Sequence, residues 1–118
     1  MKVSELSGPA LDEWVARSEG HVVEPRFRAE VNAEIMVIAV GTATRGVLHY
    51  STDWACAGPI IEREKIGVTF GAAGNEWHAM VLAKGVLSVK WHLTGPTPLV
   101  AAMRSYVASK YGDEVPDE

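Results

Sequence analysis

Residue types that recognise ligands are concentrated in segment 51–64, whose sequence is STDWACAGPIIERE. Asp53 and Trp54 are adjacent near its start, and Glu62 and Arg63 are adjacent near its end. An aromatic anchor surrounded by fixed polar groups is a common way of holding a small ligand or a peptide. In that arrangement the indole packs on the ligand, the guanidinium holds negative groups, and the carboxylates accept from hydroxyl or amino groups. These four residues are therefore candidate ligand-binding residues.

The same segment also has a purely structural interpretation. Ser51 or Thr52, followed by Asp53, is typical of a turn or a helix N-cap. Gly58 followed by Pro59 predicts a second turn, and the two isoleucines that come next can anchor the segment to a core. The segment would then be a pinned loop whose charged residues lie in solvent. The sequence leaves both interpretations open.

Metal binding and catalysis have weaker support in the sequence. The four histidines include no pair at the spacing of common metal motifs, and Cys56 has no second cysteine for a CxxC motif. His78 and His92 fall on neighbouring predicted strands and could meet there, but no spacing requires it. A small hydrolase would have to use Asp53, His49 and His92, which match no hydrolase motif. We expect no metal and no cofactor, and the sequence favours a non-enzymatic protein.

The charge balance disfavours nucleic-acid binding. Acidic residues outnumber basic ones by 15 to 11, the net charge is −4, and no run of basic residues occurs. Non-specific affinity for nucleic acid comes largely from Lys and Arg on phosphates, so we expect that nucleic acid is not the partner of this acidic chain.

Cysteine content and apolar runs bear on the compartment. The single cysteine cannot form an internal disulfide, which fits a reducing environment. The longest apolar run, residues 35–40, is far shorter than the roughly 20 residues that span a bilayer. The N-terminus has no apolar stretch of signal-peptide length. We expect a cytoplasmic protein with no membrane association.

Two helices and several strands must position the candidate residues. Ser7, Pro9 and Gly20 delimit an N-terminal helix, and Thr97, Pro98 and Gly112 delimit a C-terminal amphipathic helix with one buried face. Between them lie short runs rich in Val, Ile and aromatic residues, separated by glycine-bearing turns at 71–75 and 83–85. The predicted strand runs are 21–24, 34–40, 45–50, 66–70, 76–83 and 86–93.

The order of these elements predicts a single α+β domain over residues 1–118. We expect a mostly antiparallel sheet of about five or six strands, with the N-terminal and C-terminal helices packed on it. The acidic tail, residues 113–118, is expected to fray. Four tryptophans in so short a chain favour a homo-oligomer, although a well-filled core would use them equally well.

Three blocks of the sequence resemble the NinX-like family of small bacteriophage proteins. They are MKVSELSGPALDEWVARSEG at the start, STDWACAGPIIERE in the centre and GPTPLVAAMRSYVASKYGDEV near the end. Together they cover about half of the chain. One departure is Ala57, which stands where the resemblance leads us to expect a glycine. Arg104 lies in the last block and joins the candidate ligand-binding residues.

The resemblance implies a phage or prophage accessory protein that acts in the host cytoplasm. Such a protein would bind a host protein or a small anionic, nucleotide-like molecule, for example to counteract host defence. In that hypothesis Trp54 packs on the partner while Arg63 and Arg104 hold its negative groups. An accessory role with nucleic acid in phage recombination or replication is the first alternative, and a small hydrolase is the second.

Overall fold

The computed structural model describes residues 1–24, 36–38, 45–46, 49–82 and 89–116. Within these ranges, residues 22–24, 36–38, 45–46 and 89–90 are described by their backbone alone. Its elements give an α+β protein. The α-helices are α1 (Gly8–Ser18), α2 (Trp54–Glu64) and α3 (Pro98–Tyr111), and a short 3-10 helix spans Val3–Glu5. The strands are β1 (Val22–Glu24), β2 (Met36–Ile38), β3 (Arg45–Gly46), β4 (Gly67–Gly71), β5 (Glu76–Leu82) and β6 (Val89–Gly95).

The strands form two separate antiparallel sheets. Each described sheet has three strands, in the orders β1-β2-β3 and β4-β5-β6. The antiparallel pairing confirms the prediction, but the single sheet of five or six strands was wrong for the described residues. Helix α2 occupies the connection between β3 and β4, so these strands lack the short link that usually makes consecutive strands pair. The predicted hairpin turn before Glu76 is present at 72–75, whereas the predicted turn at 83–85 lies outside the described residues.

Helix α3 is the centre of the core. Thr97 caps it by accepting a hydrogen bond from the Val100 amide at 3.1 Å, and it ends at Gly112, as predicted. Its buried residues are not confined to one face, so the predicted single buried face was wrong: Leu99, Val100, Ala101, Ala102, Met103, Ser105, Tyr106, Val107 and Ala108 are all buried. The small residues in this set allow close approach on several sides, and α3 packs on β4–β6 as well as on α1 and α2.

The hydroxyl of Ser105 joins α3 to two strands at once. It donates to the Ala79 carbonyl on β5 at 2.9 Å and accepts from the Leu93 amide on β6 at 3.2 Å. Because Ser105 is fully buried, both of its hydrogen bonds are made away from water, where an unpaired polar group is costly. These two hydrogen bonds fix the distance between α3 and the β4–β6 sheet.

Helix α1 packs on α3 and contacts β1, whereas the sequence predicted that α1 and α3 both pack on one common sheet. The inner face of the β4–β6 sheet is already covered by α3, so the apolar residues of α1 are buried against α3 instead. Trp14 makes an edge-to-face contact with Tyr111, with ring centroids 5.3 Å apart. Asp12 is also buried, and its carboxylate accepts a 2.8 Å hydrogen bond from the Ser51 amide.

The two ends of the chain pair with each other. Lys2 and Glu114 form an antiparallel bridge, and the N-terminal amine donates to the Val115 carbonyl at 2.9 Å. Val115 is buried, so of the tail that was expected to fray, residues 113–115 are held against the N-terminus. Within the described ranges, no helix combines the length and apolar character needed to cross a membrane.

Candidate functional site

Most of segment 51–64 forms the capped helix α2, Trp54–Glu64, which corrects the prediction of a loop with a second turn at Gly58 and Pro59. Asp53 is the N-cap, as one interpretation of the sequence expected, and its Oδ1 accepts from the Ala55 amide at 2.9 Å. The helix ends at Lys65, whose φ of 55° is left-handed, and the Ile66 amide closes the last turn on the Ile61 carbonyl at 3.0 Å. Both ends of the segment are therefore fixed.

Helix α2 has a buried side and an exposed side. Ala57 and Ile60 are buried at helical spacing and hold it to the core. Ala57 has ordinary helical geometry with no exposure, so this position has no need of the conformational freedom of glycine. The opposite side, which we name the α2 outer face, consists of Trp54, Ala55, Gly58, Pro59 and Glu62.

Trp54 is the main feature of the α2 outer face. Its relative exposure is 56%, which is high for a tryptophan. One turn further along, Gly58 and Pro59 are both small residues, so the indole is the largest apolar group of this face. Glu62 lies on the same side about 12 Å along the axis, at a rise of about 1.5 Å per residue.

Pro59 gives this face a polar group as well. Proline has no amide hydrogen, so the carbonyl of Ala55, four residues earlier, lacks its usual intrahelical donor. Ala55 is itself an exposed residue. The outer face therefore combines an aromatic anchor, small apolar residues and a backbone acceptor.

Arg63 is turned away from this face and binds protein carboxylates. Its Nη1 and Nη2 donate to the two oxygens of Glu19 at 3.1 and 2.6 Å, and its Nε donates to Glu64 at 2.8 Å. Nη2 also lies 3.2 Å from the Tyr106 hydroxyl, which itself donates a short hydrogen bond to Glu19. This cluster ties the C-terminal ends of α1 and α2 to the middle of α3.

The pKa values in the cluster follow from these contacts. Burial alone raises the pKa of Glu19, but the hydrogen bonds from Arg63 and Tyr106, with the positive charge of Arg63, bring it below its ordinary value. The pKa of Arg63 is raised by hydrogen bonds to Glu19 and Glu64. Burial, and then the bond to Glu19, raise the pKa of Tyr106. At neutral pH the cluster is thus a carboxylate, a guanidinium and a neutral phenol.

Arg104 also makes internal hydrogen bonds. Its Nε donates to the Leu6 carbonyl and its Nη1 to the Thr94 carbonyl, each at 2.8 Å. Partial burial lowers the pKa of its guanidinium. Arg104 and Tyr106 are two residues apart on α3 and so point about 160° apart, since a helix turns about 100° per residue. Arg104 therefore joins the N-terminal segment to β6 on a side that does not face Arg63.

The structure brings together only some of the predicted site residues. Asp53, Trp54 and Glu62 border one exposed face, whereas Arg63 and Arg104 lie elsewhere and bind protein oxygens. Sequence reasoning did not find Glu19 and Tyr106, whose link to Arg63 spans more than forty positions and has no local signal.

The residues considered for catalysis are likewise held in other contacts. His92 is bonded to His78, and Asp53 caps α2. Burial raises the pKa of the Cys56 thiol, which lies 3.5 Å from an Asp53 carboxylate oxygen, so the reactive thiolate form is disfavoured. A cleft of about 450 Å³ lies away from α2 and is lined by Lys2, Ser4, residues 91–93, Asp113 and Glu114. Within the described ranges, no three His, Cys, Asp or Glu side chains are placed to hold a metal ion.

Comparison with known proteins identifies one family. The family described as Bacteriophage P22, NinX matches residues 2–110, which is nearly the whole chain. No curated protein matches the sequence.

Proposed function

This chain belongs to the NinX family of bacteriophage proteins, and we propose that it is a non-enzymatic accessory protein that docks a host protein on the α2 outer face. Trp54 enters an apolar pocket of the partner in this proposal. Ala55, Gly58 and Pro59 form the contact around it, and the Ala55 carbonyl accepts a hydrogen bond from the partner. The exposure of Trp54 is the observation that carries the proposal.

An exposed tryptophan supports a protein partner for a physical reason. Interface anchors are enriched in Trp because one rigid side chain buries a large area at low entropic cost. Trp54 stands at the first residue of a helix whose two ends are capped, so its backbone is already ordered before binding. A preorganised anchor loses less entropy when it enters a pocket.

The acidic residues at this face indicate the charge of the partner surface. Asp53 and Glu62 are exposed at the two ends of the α2 outer face, and the whole chain has a net charge of −4. A complementary partner surface has an apolar pocket with Lys or Arg on its rim. The membership of a phage family makes a protein of the bacterial host the natural source of that surface.

The internal contacts of the two arginines weigh against a small anionic ligand at this face. Arg63 is bound to Glu19 and Glu64, and Arg104 to two backbone carbonyls. An anion would have to displace these oxygens before either guanidinium could hold it. The outer surface of a single helix is also convex, whereas most small-ligand sites are concave and enclose the ligand.

Site-specific photocrosslinking tests the proposal in host cells. A benzophenone amino acid replaces Ala55 on the α2 outer face, or Phe70 on β4 as the matched exposed control. We expect irradiation to give one covalent product with a host protein from position 55, none from position 70, and its loss when Trp54→Ala is added. A product of twice the chain mass would assign the face to a second copy of this chain. The same product from both positions, or none from position 55, would contradict host-protein docking.

A further inference from the structure

Two histidines meet on the face of the β4–β6 sheet that points away from α3. The side chains of Val68, Trp77, Ala79 and Leu93 pack towards the core, so the alternate positions on the same strands point outwards. His78 on β5 and His92 on β6 are among these alternate positions. Their Nδ1 and Nε2 atoms, respectively, are 2.8 Å apart, with ring centroids at 5.0 Å.

Met80 is a neighbour of both histidines in the sheet register. It is the direct cross-strand partner of His92, and it lies two residues after His78 on the same strand. Directly opposed side chains in an antiparallel pair have Cβ atoms about 4.5–5.5 Å apart. Two imidazole nitrogens and one thioether sulfur are thus brought to neighbouring positions of one sheet face.

Gly71 makes room for this arrangement. A Cβ atom placed at residue 71 would lie 2.4 Å from Nε2 of His78, so any larger residue would push the imidazole away. With glycine there, the ring of His78 rests against β4 and presents Nδ1 to His92. The backbone of β4 therefore helps to orient the imidazole of His78.

We propose that His78, Met80 and His92 form a binding site for monovalent copper. Imidazole and thioether are a donor set suited to Cu(I), because thioether sulfur selects this soft ion over Zn²⁺. Met80 supplies the third donor in this proposal, because the strand register places it beside both histidines.

The geometry needs little change to admit the ion. Imidazole nitrogens bind transition metals at about 2.0–2.1 Å, so two of them on one ion lie roughly 3–3.5 Å apart. The present nitrogen–nitrogen distance is 2.8 Å, and small side-chain rotations open it to that range. The proton now shared between the rings moves to the other nitrogen of its own ring, and both lone pairs then bind the ion.

Competition with the chromophoric Cu(I) chelator bicinchoninate under anaerobic, reducing conditions measures this affinity. Cys56→Ala serves as the background, since a free thiol also binds Cu(I). We expect one Cu(I) per chain, and a loss of about tenfold or more in affinity with His92→Gln or Met80→Leu. Thr69→Val, directly across from His78, is the matched control and leaves the affinity unchanged. Circular dichroism verifies that each variant folds.

A second readout separates a metal site from a simple histidine hydrogen bond. With ¹³C-methyl-labelled methionine, added Cu(I) shifts the Met80 methyl resonance, assigned through Met80→Leu, while the buried Met103 methyl stays in place. Equal Cu(I) affinity in Met80→Leu and Thr69→Val, or an unshifted Met80 methyl, would overturn the thioether ligand. Failure of the background protein to hold Cu(I) against the chelator, or tighter binding of Zn²⁺ than of Cu(I), would overturn the site as proposed.

Discussion

Replacing Glu19 by glutamine tests the cluster that positions α2. Glu19 accepts two hydrogen bonds from Arg63 and one from Tyr106, and its side chain is only 16% exposed, while that of Arg63 is 50% exposed. A fully exposed ion pair contributes about 0.2–1 kcal/mol, and a hydrogen bond to a charged group about 1.5–3 kcal/mol. Glutamine keeps one acceptor oxygen, so we expect Glu19→Gln to lower the free energy of unfolding by roughly 1–2 kcal/mol. That is a fall of about 4–8 °C in melting temperature for a chain of this size.

The pH dependence gives the sharper measurement. Arg63 and Tyr106 hold the pKa of folded Glu19 below its ordinary value of 4.5, so as the pH falls the unfolded chain binds the proton first. The stability difference between wild type and Glu19→Gln is therefore complete near neutral pH. It declines below about pH 4.5 and is lost once the folded carboxylate is protonated.

Urea unfolding between pH 3 and pH 7.5 measures this difference. The matched control is Glu62→Gln, which neutralises an exposed carboxylate near the same end of α2 and should change stability by less than about 0.5 kcal/mol. A Glu19→Gln protein as stable as Glu62→Gln at every pH would refute the argument that the cluster holds α2 in place.

Four further predictions concern the α2 cap, two glycines and Arg104. Asp53→Ala removes the α2 cap and should cost about 1 kcal/mol of unfolding free energy, whereas Asp53→Asn should be nearly neutral, and equal losses would deny the capping role. Gly58→Ala has nothing within 4 Å of the added Cβ and should stabilise the helix by about 0.5–1 kcal/mol. Gly95→Ala places Cβ 2.8 Å from the Ala101 amide nitrogen and should cost about 1–3 kcal/mol, and a melting temperature lowered by Gly58→Ala or raised by Gly95→Ala would contradict the packing argument for that glycine. Arg104→Met leaves the Leu6 and Thr94 carbonyls without their donor and should cost about 1–3 kcal/mol in urea unfolding, and an unchanged midpoint would show that the two bonds contribute little.

Signals confined to a few neighbouring residues predicted the helix ends and the hairpin turn. Ser7 and Gly20 bracket α1, and Thr97 and Gly112 bracket α3, because caps depend on backbone geometry close in sequence. The turn at 72–75 follows for the same reason, with Asn75 at a φ of 51°. These features need no knowledge of the tertiary structure.

Helix α2 was missed because Gly58 and Pro59 outweighed the other signals. Asp53 as a cap, and apolar residues at 57, 60 and 61, already had helical spacing. The interior proline is tolerated because the carbonyl it leaves without a donor belongs to the exposed Ala55. Exposure on one side of the helix is a tertiary property that the sequence pattern did not reveal.

The roles of the charged residues depend on contacts between distant positions. Arg63 meets Glu19 from another helix, and Arg104 meets the carbonyl of Leu6 near the other end of the chain. Nothing within a few residues of either arginine indicates these partners. Likewise, the contact of His78 with His92 depends on the register of β5 and β6, which the sequence allowed but did not require.

The affinity of the purified host partner for two single variants is the most direct test of the α2 outer face. Titration calorimetry should show Trp54→Ala weakening binding by about thirtyfold or more, which corresponds to about 2 kcal/mol, with its melting temperature close to that of wild type. Phe70→Ala, which removes another exposed aromatic side chain, on β4, should bind as wild type does. If Trp54→Ala bound the partner as tightly as wild type, or if both variants lost affinity alike, docking through this face would be contradicted.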